Sequence, residues 1–126
     1  MTTDPKSIAL QYIESCGRGA FDAVAPLLAE DVQFVGPGNA VTGAGAYLAV
    51  LKRLGPVWTA SEVRKVFADG AEVCVIYDLA TNTPAGKVPI VEWLHVEGGR
   101  IRSVNLFFDR VAFKPAAEEL ARRAGR

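Results

Sequence analysis

Apolar residues recur at helical spacing early in the chain and at strand spacing through its second half. Ile8, Ala9, Tyr12, Ile13 and Cys16 fall on one helical stripe. Asp4 and Pro5 supply an N-cap and a first helical position, and Gly17 closes the helix. Tyr12 lies in the middle of the stripe, so its ring faces inward, and a buried phenol needs a partner. A short second helix spans Phe21–Leu28, with Val24, Leu27 and Leu28 as its inner face and Pro26 inside it. The strand Val32–Val35 stops at Gly36-Pro37-Gly38-Asn39. Gly43 and Gly45 open a third helix, Ala44–Leu54, carrying Tyr47, Leu48, Leu51 and Leu54, and Gly55-Pro56 close it.

Extended segments follow. Val57–Phe67 alternates loosely and meets the hairpin signal Asp69-Gly70. Val73–Leu79 is a near-continuous apolar strand, and Thr81–Gly86 is a polar loop. Lys87–Val96 and Ile101–Phe113 flank Glu97-Gly98-Gly99-Arg100, where two glycines admit the positive φ of a tight hairpin turn. Pro115 begins a final polar helix to Arg123. Helices grouped ahead of consecutive strands predict an α+β fold, with the helices on one side of a curved, mostly antiparallel sheet. The whole chain, residues 1–126, reads as a single domain.

One residue breaks the apolar pattern. Every second position from Ile90 reads Ile90, Glu92, Leu94, Val96, so Glu92 shares a face with three aliphatic side chains. A carboxylate on such a face is costly to ionise unless something answers it. Either it faces an apolar interior, or a basic side chain pairs it, or the register is off by one and it meets water. Asp78 is a second carboxylate in an apolar run. Tyr77 and Asp78 point to opposite faces, and Asp78 reads as a solvent-face or dimer-face residue. By parity His95 lies opposite Glu92, beside Val91 and Trp93, and Asn105 and Phe107 share that outer face. Aromatics exposed on a sheet suggest a partner surface, hence a homodimer. Asp109 reads as a cap for the segment after it.

Composition narrows the function classes. Half the residues are hydrophobic, and 14 basic residues balance 14 acidic ones. Zero net charge argues against nucleic acid or an anionic membrane as the main partner. No apolar run approaches the roughly 20 residues of a membrane span. The polar start Met1-Thr2-Thr3-Asp4-Pro5 shows no signal pattern, so the cytoplasm is the default location. Arg122, Arg123 and Arg126 read as a solvated basic tail. Cys16 and Cys74 read as small buried side chains. One histidine and no CxxC or HExxH spacing give no metal site, and neither a GxGxxG fingerprint nor a P-loop marks a cofactor.

Several stretches together resemble the nuclear transport factor 2-like superfamily, which includes ketosteroid isomerases, SnoaL-like polyketide cyclases and limonene epoxide hydrolases. They are Gln11-Tyr12-Ile13 leading to Gly19-Ala20-Phe21-Asp22, then Leu27 to Phe34, then Gly43, and finally Gly98 to Phe113. The resemblance implies a cone-shaped fold with a deep apolar cavity between the helices and the concave sheet. Ketosteroid isomerases place there a helix-1 tyrosine, a strand acid and a base before the proline after the first strand. Tyr12 matches the tyrosine and Glu92 the acid, but Gly36 stands at the base position. The hydrolases need an arginine and two aspartates; their arginine position reads Ile90 and their last-strand acid reads Leu106.

On this resemblance Tyr12 and Glu92 are the candidate catalytic pair. A carboxyl kept neutral by desolvation can donate a hydrogen bond and, with the phenol, polarise a ligand carbonyl. Phe34, Tyr47, Leu51, Trp58, Val104, Leu106 and Phe108 are the candidate apolar lining, which favours a small hydrophobic ligand. Three functions compete: an isomerase-, cyclase- or hydrolase-like enzyme; a non-catalytic binding or dimerisation module; and a scaffold with a filled cone. The first has Tyr12 and Glu92 in its favour, and the second accommodates Gly36.

Overall fold

Asp4 starts the first helix as expected, its carboxylate accepting hydrogen bonds from the Ser7 N–H at 3.1 Å and the Ser7 hydroxyl at 2.8 Å. The computed structural model describes residues 4–125; Met1 to Thr3 and Arg126 lie outside the described residues. Helix α1 (Pro5–Gly17) buries Ile8, Ala9, Tyr12, Ile13 and Cys16. A one-turn helix α2 (Phe21–Val24) passes into a 3-10 turn over Ala25–Leu27. Strands β1 (Leu28–Gly36) and β2 (Asn39–Thr42) precede α3 (Ala44–Leu54) and a second 3-10 turn, Gly55–Val57. Strands β3 (Trp58–Asp69), β4 (Glu72–Thr81), β5 (Lys87–Glu97) and β6 (Arg100–Phe108) lead to α4 (Arg110–Ala124).

The six strands form one curved sheet in the order β2-β1-β6-β5-β4-β3. The antiparallel meander from β3 to β6 is as the alternation predicts. The β5–β6 hairpin turns through Gly98 and Gly99 at φ 60° and 76°, with Glu97 opposite Arg100. Strand β1 joins beside β6 in parallel, a pairing between chain segments too distant for local pattern to report. Val88, Ile90, Glu92, Leu94 and Val96 of β5 all face the concave side and are buried. On β4, Val73, Val75, Tyr77 and Leu79 do the same. Helix α1 lies across this face, and Gly17 lets it come close to β3: a Cβ there would sit 2.4 Å from the Ser61 nitrogen.

Three boundaries differ from expectation. The second helix gives way at Pro26, which sits in the first turn of the 3-10 segment, and Leu28 is already extended at φ −96° and ψ 136°. Asn39, expected in the turn after the first strand, instead starts an edge strand, Asn39–Thr42, on β1. The last strand ends at Phe108, not Phe113, because Asp109 caps α4 there, accepting from the Val111 N–H at 2.9 Å and the Ala112 N–H at 3.4 Å. Pro115 therefore falls inside α4 and does not begin it. Arg122 and Arg123 are helical and both pair with Glu119, so they are not a free tail. No helix among the described residues is long and apolar enough to cross a membrane.

Candidate functional site

Glu92 sits at the middle of β5, opposite Val75 on one side and Leu106 on the other. It is 2% exposed, yet it is not stranded. Tyr12 donates to its Oε1 at 2.8 Å, reaching down from α1. Tyr77 donates to its Oε2 at 2.5 Å. Tyr77 pairs across the ladder with Ile90, so it meets Glu92 on the diagonal, a separation a long aromatic side chain spans. Tyr47 of α3 shares a short hydrogen bond with the Tyr12 hydroxyl and stacks on Phe34, with ring centroids 4.8 Å apart. Among the described residues every buried side-chain nitrogen and oxygen has a partner.

Two opposing influences act on Glu92. Burial raises its pKa, while the hydrogen bonds from the Tyr77 and Tyr12 hydroxyls stabilise the carboxylate and lower it; burial wins, leaving the group at about 7. The same burial, with the neighbouring carboxylate, pushes all three phenols well above their ordinary value, so they stay protonated donors. The thiol of Cys16 is likewise raised by burial and by Glu92.

Three hydrogen bonds link four groups in the order Tyr47, Tyr12, Glu92, Tyr77. With Glu92 ionised, three phenolic protons fill all three bonds and none is spare. With Glu92 protonated, four protons serve three bonds, and one O–H is left over for a ligand. One proton near neutral pH thus switches the cluster between a hydrogen-bond acceptor and a hydrogen-bond donor.

A cavity of about 680 Å³ opens beside this cluster. Its walls come from β1, α3, β4, β5, β6 and α4, and most of the lining is apolar. The polar exceptions among the described residues are Asn39, Tyr47, Tyr77, Glu92, Arg53 and Arg123, and Glu92 is the carboxylate of that set. The volume suits a small organic molecule.

The sequence profile of the SnoaL-like domain matches residues 9–104, most of the chain. The chain belongs to the SnoaL-like domain family. No curated protein matches it in sequence. A solved protein from Kribbella flavida is 27% identical with a TM-score of 0.84, covering 94% of this chain and 97% of its own. A candidate ketosteroid isomerase from the same organism is 25% identical with a TM-score of 0.73, covering 83% of this chain and 77% of its own. An epoxide hydrolase of M. tuberculosis, similar to the limonene type, shares the fold at 22% identity and a TM-score of 0.76, covering 95% and 94%.

In this SnoaL-like chain Phe34, Tyr47, Leu51, Trp58, Leu106 and Phe108 line the cavity. One expectation is corrected. Val104 is wholly buried between Phe34 and Leu94 and belongs to the core, because the cavity opens along α3 and α4 and not beneath the middle of β6. Tyr12 is fully buried, hydrogen-bonded to Glu92 and Tyr47, and is not among the cavity-lining residues. Tyr77, by contrast, both lines the cavity and donates to Glu92. Its alternation with Val73, Val75 and Leu79 was the available signal, since a phenol on a buried face needs a partner.

Gly36 lines the cavity, and a Cβ there would lie 2.9 Å from the Phe34 ring and 3.5 Å from Leu106. Phe34 therefore fills the space a base at that position would use. On the outer face Asp78 pairs with Arg64 at 3.5 Å, and Glu72 contacts His95 and accepts from the Trp93 indole at 2.7 Å. Cys74 lies there half-buried, opposite Trp93, whereas Cys16 is buried. Among the described residues no group of three or more His, Cys, Asp or Glu is placed to hold a metal ion.

Proposed function

We propose that this SnoaL-like protein takes a small hydrophobic carbonyl compound into its cavity and transfers a proton on it, in an isomerase-, cyclase- or hydrolase-like reaction. The observation that carries this is Glu92, a buried, cavity-lining carboxyl at about 7 in hydrogen-bond contact with two phenols. A group with that pKa is suited to exchange protons near neutrality. Protonated, the cluster has one O–H free to polarise a carbonyl; ionised, it can receive a proton from the adjacent carbon. Tyr77 and Tyr47 are the phenols that reach the ligand, and Tyr12 orients the acid.

The test is turnover of a panel of apolar enones and epoxides by the wild type, Glu92→Gln and Tyr77→Phe. Loss of Glu92 should cost roughly 100-fold or more, the usual worth of a positioned acid or base. Equal turnover in Glu92→Gln and wild type sinks the proposal.

A second reading, a non-catalytic binder, is favoured by a specific observation: among the described residues no carboxylate besides Glu92 lines the cavity, and Phe34 occupies the base position left by Gly36. It predicts saturable binding of a carbonyl ligand without turnover, with affinity falling as pH rises through about 7.

We also propose a homodimer through the outer sheet face. Phe67, Cys74, Trp93, Asn105 and Val35 form one cross-strand row there, and Phe107 stands beside it. Phe67, Trp93, Phe107 and Val35 are each about half exposed, at 55%, 47%, 54% and 52%. An apolar row of this kind is what a self-complementary sheet interface buries.

A further inference from the structure

Besides Glu92, two charged side chains among the described residues line the cavity, Arg53 of α3 and Arg123 of α4. They differ in what answers them. Arg123 donates from Nε to Glu119 at 2.7 Å and from its other nitrogens to the Pro56 carbonyl at 3.0 Å and the Asn82 Oδ1 at 3.1 Å. Its charge is neutralised, and it ties the end of α4 to the body. Arg53 forms no ion pair and no hydrogen bond among the described residues. Lys52, its neighbour in the same helical turn, also sets a cation at the negative end of the α3 dipole, but it does not line the cavity.

Helix α3 fixes the distance between the two ends of the site. Tyr47, in the Glu92 cluster, precedes Arg53 by six residues, which is about 9 Å along a helix axis. The wall between and around them is apolar: Leu51, Leu54, Trp58 and Leu120. The cavity is therefore polarised, with a neutral or acidic hydrogen-bonding end and an unanswered guanidinium at the other.

We propose that Arg53 selects an anionic group on the ligand, which is an amphipathic monoanion with an apolar body on the order of 10 Å long, as the helix rise dictates. Its hydrogen-bond acceptor lies at the Glu92 cluster and its carboxylate lies at Arg53, where the planar fork of the guanidinium matches both oxygens. This rests on the reading of the cavity as a ligand site. Because Arg53 is exposed, its pairing sets specificity and contributes modestly to affinity, and salt weakens it.

Two fluorescent probes of nearly the same shape separate the possibilities: anilinonaphthalenesulfonate, an anion, and phenylnaphthylamine, its neutral counterpart. Titrations are run below the Glu92 midpoint, where that carboxyl is neutral. The wild type should bind the anion about three- to fivefold more tightly at low salt, the range of an exposed ion pair. The preference should vanish in Arg53→Gln and at about 1 M salt, and persist in Lys52→Gln, which removes the same charge from the same turn. Equal binding of both probes by the wild type and Arg53→Gln overturns the anion assignment and leaves the cavity reading standing. Equal loss of the preference in Lys52→Gln and Arg53→Gln also overturns it, since net charge alone then accounts for it. Failure of both probes to bind overturns the cavity reading itself.

Discussion

Glu92 and Glu72 are neighbours across one sheet with opposite behaviour. Glu92 faces the concave side and Glu72 the outer side, and each carboxylate accepts a hydrogen bond from an aromatic residue, Tyr77 at 2.5 Å and Trp93 at 2.7 Å. Yet Glu92 is raised to about 7, whereas Glu72 is lowered by its bonds to His95 and Trp93. Donors favour the charged form of both. What differs is water: Glu92 has lost its hydration, and Glu72 keeps it and gains a cation. Hydrogen bonds of similar geometry thus prepare an exchangeable proton on one face and a fixed charge on the other.

The largest expected effect comes from replacing Glu92 by Gln. A carboxyl at about 7 when folded and near 4.5 when unfolded binds more protons in the folded state between those values. Its contribution to stability therefore falls as pH rises from about 4.5 and levels off above about 7. The full difference corresponds to about 3 kcal/mol. Urea unfolding at the two ends of that window should show the loss in the wild type and little of it in Glu92→Gln. A wild-type stability that does not fall with pH would mean that Glu92 is solvated, and the contrast between the two faces would collapse.

Tyr77→Phe sharpens the same contrast. It removes the closest donor to the carboxylate while keeping the ring. A hydrogen bond to a charged group is worth about 1.5–3 kcal/mol, so the Glu92 midpoint should climb by roughly one to two units. A carbon-detected carboxyl titration reads this directly. Tyr12→Phe, at 2.8 Å, should move it in the same direction by less. A downward shift in either variant would show that the phenols oppose ionisation.

The inward face of β5 was legible in the sequence because a strand's period of two is rigid: once Ile90, Leu94 and Val96 face the core, Glu92 must follow. The outer positions of Trp93, His95 and Phe107 follow from the same parity. The α1 stripe and the hairpin at Gly98 and Gly99 were legible for equally local reasons. The phenol cluster was harder to see. It joins α1, α3, β4 and β5 through side chains far apart in sequence, and nothing local says that Tyr12 stops short of the cavity while Tyr47 and Tyr77 reach it. The parallel contact of β1 with β6 is hidden for the same reason. The start of α4 turned on a single cap: Asp109 outweighed the boundary that Pro115 suggests.

The outer face yields the next prediction. If Trp93, Phe107 and their row form a dimer interface, Phe107→Glu should raise the dimer dissociation constant by about tenfold or more, the effect of losing a central aromatic contact. Sedimentation equilibrium measures it, and the Glu92 titration should be unchanged because Phe107 points away from that cluster. A wild type that stays monomeric at all concentrations would remove the dimer reading and leave the concave site untouched.

His95→Gln tests the outer pair with the smallest expected effect. Glu72 raises the His95 pKa through their hydrogen bond, and Glu97 adds to it at 3.6 Å. A histidine raised on folding stabilises fully below its unfolded pKa, near 6.5, and loses that contribution as pH rises through the folded value. His95 is a third exposed, so solvent screens the pair and the loss should be under about 1 kcal/mol. This runs in the same direction as the Glu92 slope: one group loses a favourable charge and the other gains an unfavourable one. Unfolding of His95→Gln should therefore retain most of the wild-type pH dependence, and its residual slope should vanish only when Glu92→Gln is added. If His95→Gln alone flattened the profile, the outer pair would govern the pH response, and Glu92 would not be the group titrating near neutrality.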